Sequence, residues 1–142
     1  MPEEIPLPAL LSSIKKNHIH YLEKNIKNED VQAGQLPIIL VLENNENISQ
    51  KNIAETLNYS EGLITRFIKK LEENKYIIRE TNTTNKRENI IRLTEKGKKL
   101  AQELDYYINK WNNEVLNFLT EKEKIYLQNT INRINANSEE LI

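Results

Sequence analysis

A mainly α-helical fold with one small β-hairpin is predicted by three features of this 142-residue chain. Two short helical patterns lie on either side of Asn58 within residues 48–73, which is the spacing of two helices joined by a tight turn. Two β-rich runs, at 76–78 and 90–93, flank a polar segment and predict a hairpin. Long amphipathic patterns precede and follow this unit. Together these features predict a winged helix-turn-helix with N- and C-terminal dimerisation helices, in a single domain covering residues 1–142.

The N-terminal part of the chain predicts two helices. Apolar residues from Leu10 onward recur at helical spacing and predict a first helix over residues 9–27, after a proline-rich extended arm at 1–8. A polar break at 28–34 follows. The second helix has Pro37 in its first turn, where the missing backbone N–H costs no helical hydrogen bond. Its dense apolar residues predict that this helix is buried.

Three polar residues mark the ends of the next two helices. Ser49 suits the N-cap of a helix over residues 50–57, because its hydroxyl can accept an otherwise unpaired backbone N–H. Asn58 tolerates the left-handed conformation that ends such a helix. Ser60 is expected to cap a fourth helix over residues 61–74. The apolar residues of this helix face the core, which leaves to solvent or DNA the polar residues Glu61, Thr65, Arg66, Lys69 and Lys70.

A hairpin and a long helix follow. Residues 79–87 are polar and rich in Asn and Thr, which are turn residues. Thr94 is expected to cap a fifth helix, whose apolar stripe runs continuously from Leu100 to Phe118. A helix of this length outruns the core of a small winged helix.

The C-terminal segment predicts a sixth helix and, with the first and fifth, a dimerisation layer. Thr120 and Glu123 form a capping box at the start of this helix. Long amphipathic helices need a partner surface, and the simplest partner is a second copy of the chain. Dimerisation helices are therefore assigned to residues 9–27 and 98–142, and a winged helix-turn-helix lobe to residues 33–97.

The charge distribution favours a nucleic-acid partner. The whole chain has a net charge of −1, but residues 60–99 hold 11 Lys and Arg against 6 Asp and Glu. A basic stretch on a mildly acidic body is the electrostatic pattern of a DNA-binding protein. Chance clustering of charges on a solvated surface is the alternative.

The sequence lacks the residues that several other classes of protein require. The sequence has no Cys, which removes disulfides and cysteine-zinc sites. Its two histidines, His18 and His20, point to different faces of a helix, and no catalytic or phosphate-binding motif is present. We therefore expect no enzyme activity, no cofactor and no metal. No apolar run reaches the ~20 residues of a membrane span and no signal peptide is recognisable, so a soluble cytoplasmic protein is expected.

The polar face of the fourth helix carries the central DNA contacts of the prediction. Arg66 can bind guanine O6 and N7 with two hydrogen bonds, while Lys69 and Lys70 suit phosphates. An isolated helix would more often present such a face to solvent, but the capped helix before it and the hairpin after it favour recognition. Cations in the hairpin tip can reach the minor groove, with an ordinary polar turn as the alternative. The predicted DNA-binding residues are Ser49, Gln50, Ser60, Glu61, Thr65, Arg66, Lys69, Lys70, Thr83, Asn85, Lys86 and Arg87.

A second hypothesis is a protein-interaction module, because winged helices also dock other proteins of the transcription machinery. The basic character of residues 60–99 and of the fourth helix favours DNA instead. Binding to random duplex separates the two, since a steep loss with rising salt indicates DNA.

With these elements in order, the chain resembles the MarR (multiple antibiotic resistance regulator) family of transcription factors. Residues 49–80, SQKNIAETLNYSEGLITRFIKKLEENKYIIRE, are similar to the third helix, recognition helix and first wing strand of that family. The segment NKRENIIRLTEKG is similar to the family wing pattern, an Asp-x-Arg followed by a strand and Leu-Thr-x-x-Gly. The matching residues are Arg87, Leu93, Thr94 and Gly97.

Two residues depart from the family pattern. Asn85 stands where the family usually has Asp, so a salt bridge to Arg87 is replaced by a neutral hydrogen bond at best. Lys75 stands where a glycine commonly ends the recognition helix, and Asn74 is expected to take the left-handed conformation instead.

The resemblance implies a homodimeric repressor whose two wings straddle a palindromic DNA site. Its dimer layer would contain Leu10, Leu11, Ile14, Trp111, Val115, Phe118, Leu127, Ile131 and Ile134. The resemblance also implies release from DNA when a small aromatic acid or phenol binds between the dimer layer and the DNA-binding lobe. The residues expected at that ligand are His18, Tyr21, Thr65 and Arg79, and for Arg79 a surface cation beside the DNA is the alternative.

Overall fold

The structure is a computed structural model that describes residue 4 and residues 6–28, 30–81 and 89–142. The chain divides into two compact units, one ending at Ile108 and the other running from Asn109 to Ile142. All elements of the predicted winged helix-turn-helix lie in the first unit.

Within the described residues the chain forms six α-helices, one 3₁₀ turn and three short strands. In chain order these are α1 (Leu7–Asn25), the 3₁₀ turn (Ala33–Gln35), α2 (Leu36–Asn44), β1 (Ile48–Ser49), α3 (Gln50–Leu57), α4 (Glu61–Glu73), β2 (Ile77–Thr81), β3 (Asn89–Leu93), α5 (Glu95–Val115) and α6 (Glu121–Glu139). The strands form an antiparallel sheet in the order β1-β3-β2. The predicted fold class, mainly α with a small β-hairpin wing, is confirmed.

Local sequence signals correctly marked the starts of α3, α4, α5 and α6 and the end of α3. The hydroxyl oxygens of Ser49, Ser60, Thr94 and Thr120 each accept a backbone N–H from the residue three positions later, at 3.1–3.2 Å. Asn58 has φ 56° and ψ 42°, the left-handed conformation predicted for it. Pro37 lies in the first turn of α2. These features depend only on neighbours in the chain, which is why the sequence reveals them.

The core of the first unit lies between α2, α3, α4 and the sheet. Helix α1 contributes Leu22, and α5 contributes one face of its first half. Complete burial of a large aliphatic side chain contributes about 1.5–3 kcal/mol to folding. The largest fully buried side chains of the core include Ile38, Ile39, Ile53, Ile64, Ile68, Leu71, Tyr76, Ile77, Ile91, Leu100 and Leu104.

Strand β1 was not predicted. Ile48 pairs with Ile91 and Ser49 pairs with Ile90, so the third strand ties the start of α3 to the hairpin. Two residues are too few to show the alternation by which a strand is recognised in a sequence.

The bounds of α1 and α5 differ from the prediction by two residues or more. Helix α1 begins at Leu7, two residues before its expected start, because Pro8 is accommodated in its first turn. It ends at Asn25, two residues before its expected end. Helix α5 ends at Val115 and does not continue to Phe118. Phe118 lies in the turn that follows, with 77% of its surface exposed.

The expectation that Asn74 takes the left-handed conformation was wrong. Asn74 has φ −86°, and Lys75 itself has φ 65°. The side-chain amide of Asn74 donates to the carbonyl of Asp30 at 3.1 Å. This contact spans 44 residues of sequence, so spacing within the helix could not reveal it.

None of the described helices is both long enough and apolar enough to cross a membrane.

Candidate DNA-binding surface

The turn between α3 and α4 is held by the residue that follows Asn58. The backbone N–H of Tyr59 donates to the carbonyl of Ala54 at 2.9 Å, and its hydroxyl donates to the carbonyl of Gly34 at 2.8 Å. Its ring meets Phe67 edge-on, with centroids 6.1 Å apart. The turn is therefore fixed both to α4 and to the 3₁₀ segment before α2.

Helix α4 separates an apolar face from a polar one. Ile64, Phe67, Ile68 and Leu71 are buried, as predicted. Glu61, Thr65, Arg66 and Lys69 are exposed, and Lys70 is half-buried. The guanidinium of Arg66 lies 5.5 Å from the centre of the Phe67 ring. The outer face of α4 thus presents hydrogen-bonding groups and positive charge next to its N-terminus.

The first residue of α3 touches this face. The Gln50 amide nitrogen donates to Thr65 Oγ1 at 3.1 Å. Both residues were predicted to bind DNA, and the contact places them together although they are 15 positions apart. Ser49 and Ser60 use their hydroxyls as N-caps, and Ser49 is buried while Ser60 is exposed. Their helix N-termini carry the backbone N–H groups that favour anions such as phosphate.

The C-terminal end of α4 closes with two backbone hydrogen bonds. The N–H of Lys75 donates to the carbonyl of Glu72 at 3.0 Å, and the N–H of Tyr76 donates to the carbonyl of Leu71 at 2.9 Å. This is a Schellman motif, in which the left-handed residue is usually glycine. The Thr94 hydroxyl donates to the Lys75 carbonyl at 2.6 Å and so ties the turn to the start of α5.

A polar cluster made of Asp30, Asn74, Tyr76 and Lys96, here called the Asp30 latch, lies beside this turn. The hydroxyl of Tyr76 donates to Asp30 Oδ1 at 2.7 Å, and Lys96 Nζ lies 3.0 Å from Asp30 Oδ2. Lys96 also donates to the carbonyl of Asn74 at 2.8 Å and lies 4.1 Å from the centre of the Tyr76 ring. The latch joins the loop after α1 to the end of α4 and to the first turn of α5.

The protonation states of the latch agree with its geometry. The hydrogen bond from Tyr76 is the main reason that the pKa of Asp30 lies below its usual value, and Lys96 lowers it further. Burial raises the pKa of Tyr76 above its usual range, and Asp30 adds to this effect. The phenol therefore remains a donor and the carboxylate an acceptor at neutral pH. These contacts were not predictable from sequence spacing, because Asp30 is 46 positions from Tyr76 and 66 from Lys96.

Two ion pairs lie at the base of the wing hairpin. Arg79 Nε lies 3.5 Å from Glu72 Oε2 of α4, and Arg92 forms an ion pair with Glu80 across the two strands. Residues 82–88 lie outside the described residues, and with them the predicted DNA contacts Thr83, Asn85, Lys86 and Arg87.

The four predicted ligand-binding residues lie in three different elements. Thr65 is on α4 and lines a cleft of about 490 Å³ between α3 and α4, together with Gln50 and Glu61 but none of the other three ligand residues. Arg79 is paired with Glu72 at the hairpin base. His18 and Tyr21 are half-buried on α1. Burial lowers the pKa of His18, and the ring of Tyr21 meets Tyr107 edge-on at 6.2 Å.

Large apolar side chains are exposed on the predicted dimerisation helices. In the first unit, Leu10, Leu11 and Ile14 of α1 are exposed. In the second unit, Val115, Phe118 and Ile131 are exposed, and Trp111, Leu127 and Ile134 are half-buried. Isolated apolar residues on a surface are ordinary, but contiguous ones mark interaction sites.

The described surface defines a class of protein. A capped helix packs across a recognition helix with a cationic outer face, and an antiparallel hairpin follows directly. This arrangement is a winged helix-turn-helix DNA-binding domain.

The chain is similar to known proteins of one family. Residues 31–89 match the model of the MarR family. The HTH-type transcriptional regulator BilQ of Clostridium symbiosum is 25% identical over 119 residues, which cover 84% of this chain and 83% of BilQ. The solved structure of the transcriptional regulator SlyA superposes with a TM-score of 0.86 and 26% identity, covering 96% of each chain. The Staphylococcus aureus MepR–DNA complex contains the same fold, with a TM-score of 0.84, 18% identity and coverage of 94% of this chain and 99% of MepR. Residues 31–89 therefore form a MarR-family domain with a winged helix, and over most of its length the chain is similar to transcriptional regulators.

Proposed function

We propose that the chain is a homodimeric repressor that binds a palindromic operator through α4 and the hairpin of each protomer. The observation that carries this proposal is the outer face of α4, where Thr65, Arg66 and Lys69 are exposed opposite a fully apolar inner face. The fold shared with MepR, which was solved with DNA, supports it.

Each part of the predicted surface has a separate role in this proposal. Arg66 reads a guanine in the major groove, and Glu61, Thr65 and Gln50 contact neighbouring base edges or phosphates. Lys69 and Lys70 bind phosphates and supply affinity without sequence information. The N-termini capped by Ser49 and Ser60 add backbone N–H groups for phosphates. Contacts with the DNA backbone and the minor groove come from the wing residues Thr83, Asn85, Lys86 and Arg87.

The dimer sets the spacing of the two recognition helices. The exposed residues of α1 and of the second unit support a dimer, because a monomer leaves Leu10, Leu11, Ile14 and Phe118 in water. Two half-sites should then lie one helical turn apart, about 34–36 Å. Residues 9–27 and 98–142 remain the proposed dimerisation helices, and residues 33–97 the proposed DNA-binding lobe.

A small aromatic acid or phenol is the proposed effector, with His18 and Tyr21 of α1 and Thr65 and Arg79 of the DNA-binding lobe proposed as two separate groups of contacts. Such a ligand can release DNA only through a difference in its affinity for the DNA-binding and released states. Salicylate is a direct probe, and it should weaken operator binding but leave weak binding to unrelated duplex nearly unchanged. Equal affinity for the operator with and without salicylate would remove this class of effector from the proposal.

The repressor proposal is tested by selecting binding sequences from a randomised duplex library and measuring affinity by fluorescence anisotropy. The selected sites should be inverted repeats, and binding should fall steeply with salt. Arg66→Ala should cost about 1–3 kcal/mol of operator affinity and relax base preference at one position in each half-site.

Two control variants sharpen this test. Arg66→Lys keeps the positive charge but loses the planar pair of donors, so it should lose base preference as well. Lys110→Ala removes one exposed cation of α5, outside the winged helix-turn-helix, and should bind almost as well as the wild type. Selection of sites without two-fold symmetry, or an Arg66→Ala variant with unchanged preference, would contradict the proposed mode of recognition.

A further inference from the structure

Among the described residues of the DNA-binding surface, the left-handed Lys75 has the most unusual backbone conformation. Its φ is 65°, and it directly follows the recognition helix and precedes β2. A residue with a Cβ atom is disfavoured in this conformation, because Cβ approaches the carbonyl oxygen too closely. Asn47 and Asn58 also have positive φ, but asparagine tolerates this region far better than lysine.

Strained residues persist only where surrounding contacts outweigh the strain, and they concentrate at functional sites. Lys75 is held from three directions. Its own N–H and that of Tyr76 close the Schellman motif. Its carbonyl accepts the hydroxyl of Thr94 at 2.6 Å. The residues on either side of it, Asn74 and Tyr76, are both held by Asp30.

Asp30 makes contacts with both neighbours of Lys75 through different atoms. Its backbone carbonyl accepts from the Asn74 amide at 3.1 Å, and its carboxylate accepts from the Tyr76 hydroxyl at 2.7 Å. Lys96 connects Asp30 to Asn74, since it donates to the carboxylate of Asp30 and to the carbonyl of Asn74. Tyr76 is only 2% exposed, and without Asp30 its hydroxyl would lose the carboxylate that accepts its hydrogen bond.

The turn at Lys75 determines how α4 is oriented relative to the hairpin. The Glu72–Arg79 ion pair crosses the same turn and depends on that orientation. If φ of Lys75 returned to a negative value, the direction of β2 relative to α4 would change. The base-reading face of α4 and the wing could then no longer meet one stretch of duplex in register.

We propose that Asp30 is a positioning residue for DNA recognition, which together with Lys96 holds Lys75 in its left-handed conformation and so fixes α4 against the wing. Asp30 belongs to the loop after α1 and not to α3, α4 or the hairpin. The inference rests on the proposed operator binding for its effect on specificity, but its structural part stands without DNA.

The structural part is tested by thermal unfolding of four full-length proteins, the wild type, Asp30→Ala, Lys75→Gly and the double variant. Glycine adopts the left-handed conformation without strain, so the turn should need the latch less. Asp30→Ala should lower Tm clearly in the wild-type background and by less than half as much in the Lys75→Gly background. Equal losses in the two backgrounds would show that Asp30 and Lys75 act independently, and would overturn the proposal.

The functional part compares affinity for the selected operator with affinity for an unrelated duplex of the same length, well below Tm. Asp30→Ala should weaken operator binding about tenfold, comparable to the loss of one base contact, and leave binding to the unrelated duplex unchanged because no cation is removed. Adding Lys75→Gly should restore much of the lost affinity. Equal weakening on both duplexes, or unchanged operator affinity, would overturn the positioning role.

Three further variants complete the unfolding and binding experiments. Asp30→Asn retains an acceptor for Tyr76 and serves if Asp30→Ala folds poorly; it should show a smaller loss in the same direction. Lys96→Ala removes the second support of the turn and should lower Tm and operator affinity in the same direction as Asp30→Ala. Glu73→Ala removes an exposed carboxylate of α4 outside the latch and controls for the change in net charge. If the wild-type protein selected no operator, the proposed function would be refuted. The unfolding experiment would still test whether Asp30 and Lys75 act together.

Discussion

Gly97 should be one of the positions in this protein least tolerant of an added methyl group. A Cβ atom built at Gly97 would lie 2.1 Å from the carbonyl oxygen of Tyr76 and 2.9 Å from Leu93 Cδ2. The first of these atoms belongs to the backbone and also accepts the N–H of Thr94 at 3.0 Å. The first turn of α5 therefore rests directly on the chain that leaves α4.

The expected cost of Gly97→Ala follows from these contacts. Overpacking costs about 1–3 kcal/mol, and separating α5 from Tyr76 also weakens one buried hydrogen bond worth about 1 kcal/mol. The better helix propensity of alanine returns at most about 1 kcal/mol. The net loss should be about 1–3 kcal/mol, which for a chain of this size lowers Tm by roughly 3–10 °C.

Gly62→Ala is the matched control for this substitution. Gly62 lies in the first turn of α4, and a Cβ atom there would meet nothing within 4 Å. Gly62→Ala should therefore leave Tm unchanged or raise it slightly, by up to about 1 kcal/mol of stability. Both variants are measured by thermal unfolding at one protein concentration, since a dimer makes Tm depend on concentration. A Gly97→Ala variant as stable as Gly62→Ala would show that α5 does not rest on Tyr76.

Three further outcomes are expected. A hydrogen bond with Asp105 raises the pKa of Glu43 from its ordinary value of 4.5 to about 7. Between pH 4.5 and about pH 7, folding therefore takes up a proton. The stability contributed by the Glu43–Asp105 hydrogen bond is present at low pH and is lost as pH rises through this range. Glu43→Gln should raise stability at about pH 8 but not at about pH 4, by about 1 kcal/mol after solvent screening of this exposed side chain; a difference independent of pH would contradict the pairing. Truncation after Leu119 removes α6 and should weaken or abolish the dimer in sedimentation analysis, whereas an intact dimer would exclude α6 from the interface. Asn58→Ala should lower stability by about 1 kcal/mol in thermal unfolding and Asn58→Gly should not, because only alanine is strained at φ 56°; equal stability of the two would mean that the turn relaxes.

Sequence reasoning succeeded where structure depends on near neighbours in the chain. Ser49, Ser60 and Thr94 cap helices because each hydroxyl meets an N–H three residues later. The buried face of α4 was predictable because its apolar residues repeat with the helical period. The recognition helix, its polar face and the hairpin base could all be placed from such signals.

Contacts between distant parts of the chain account for what was missed. Whether Asn74 or Lys75 turns left-handed is decided by Asp30, Thr94 and Lys96, and nothing in the sequence around the turn indicates these partners. The wing motif Leu-Thr-x-x-Gly was recognised as a pattern, but its physical reason is tertiary. Thr94 reaches the carbonyl of Lys75, and Gly97 lets α5 approach Tyr76.

The two roles of Ser49 restrict where residues can be inserted in this part of the chain. Ser49 is the last residue of β1, where it pairs with Ile90, and it is also the N-cap of α3, where it accepts the N–H of Asn52. No spacer separates the two roles, so a residue inserted between Ser49 and Gln50 would break either the strand pairing or the cap. An extra residue between α2 and Ile48, where Asn45, Glu46 and Asn47 are exposed, disturbs neither. Insertions that preserve DNA binding in this region should therefore all fall before Ile48.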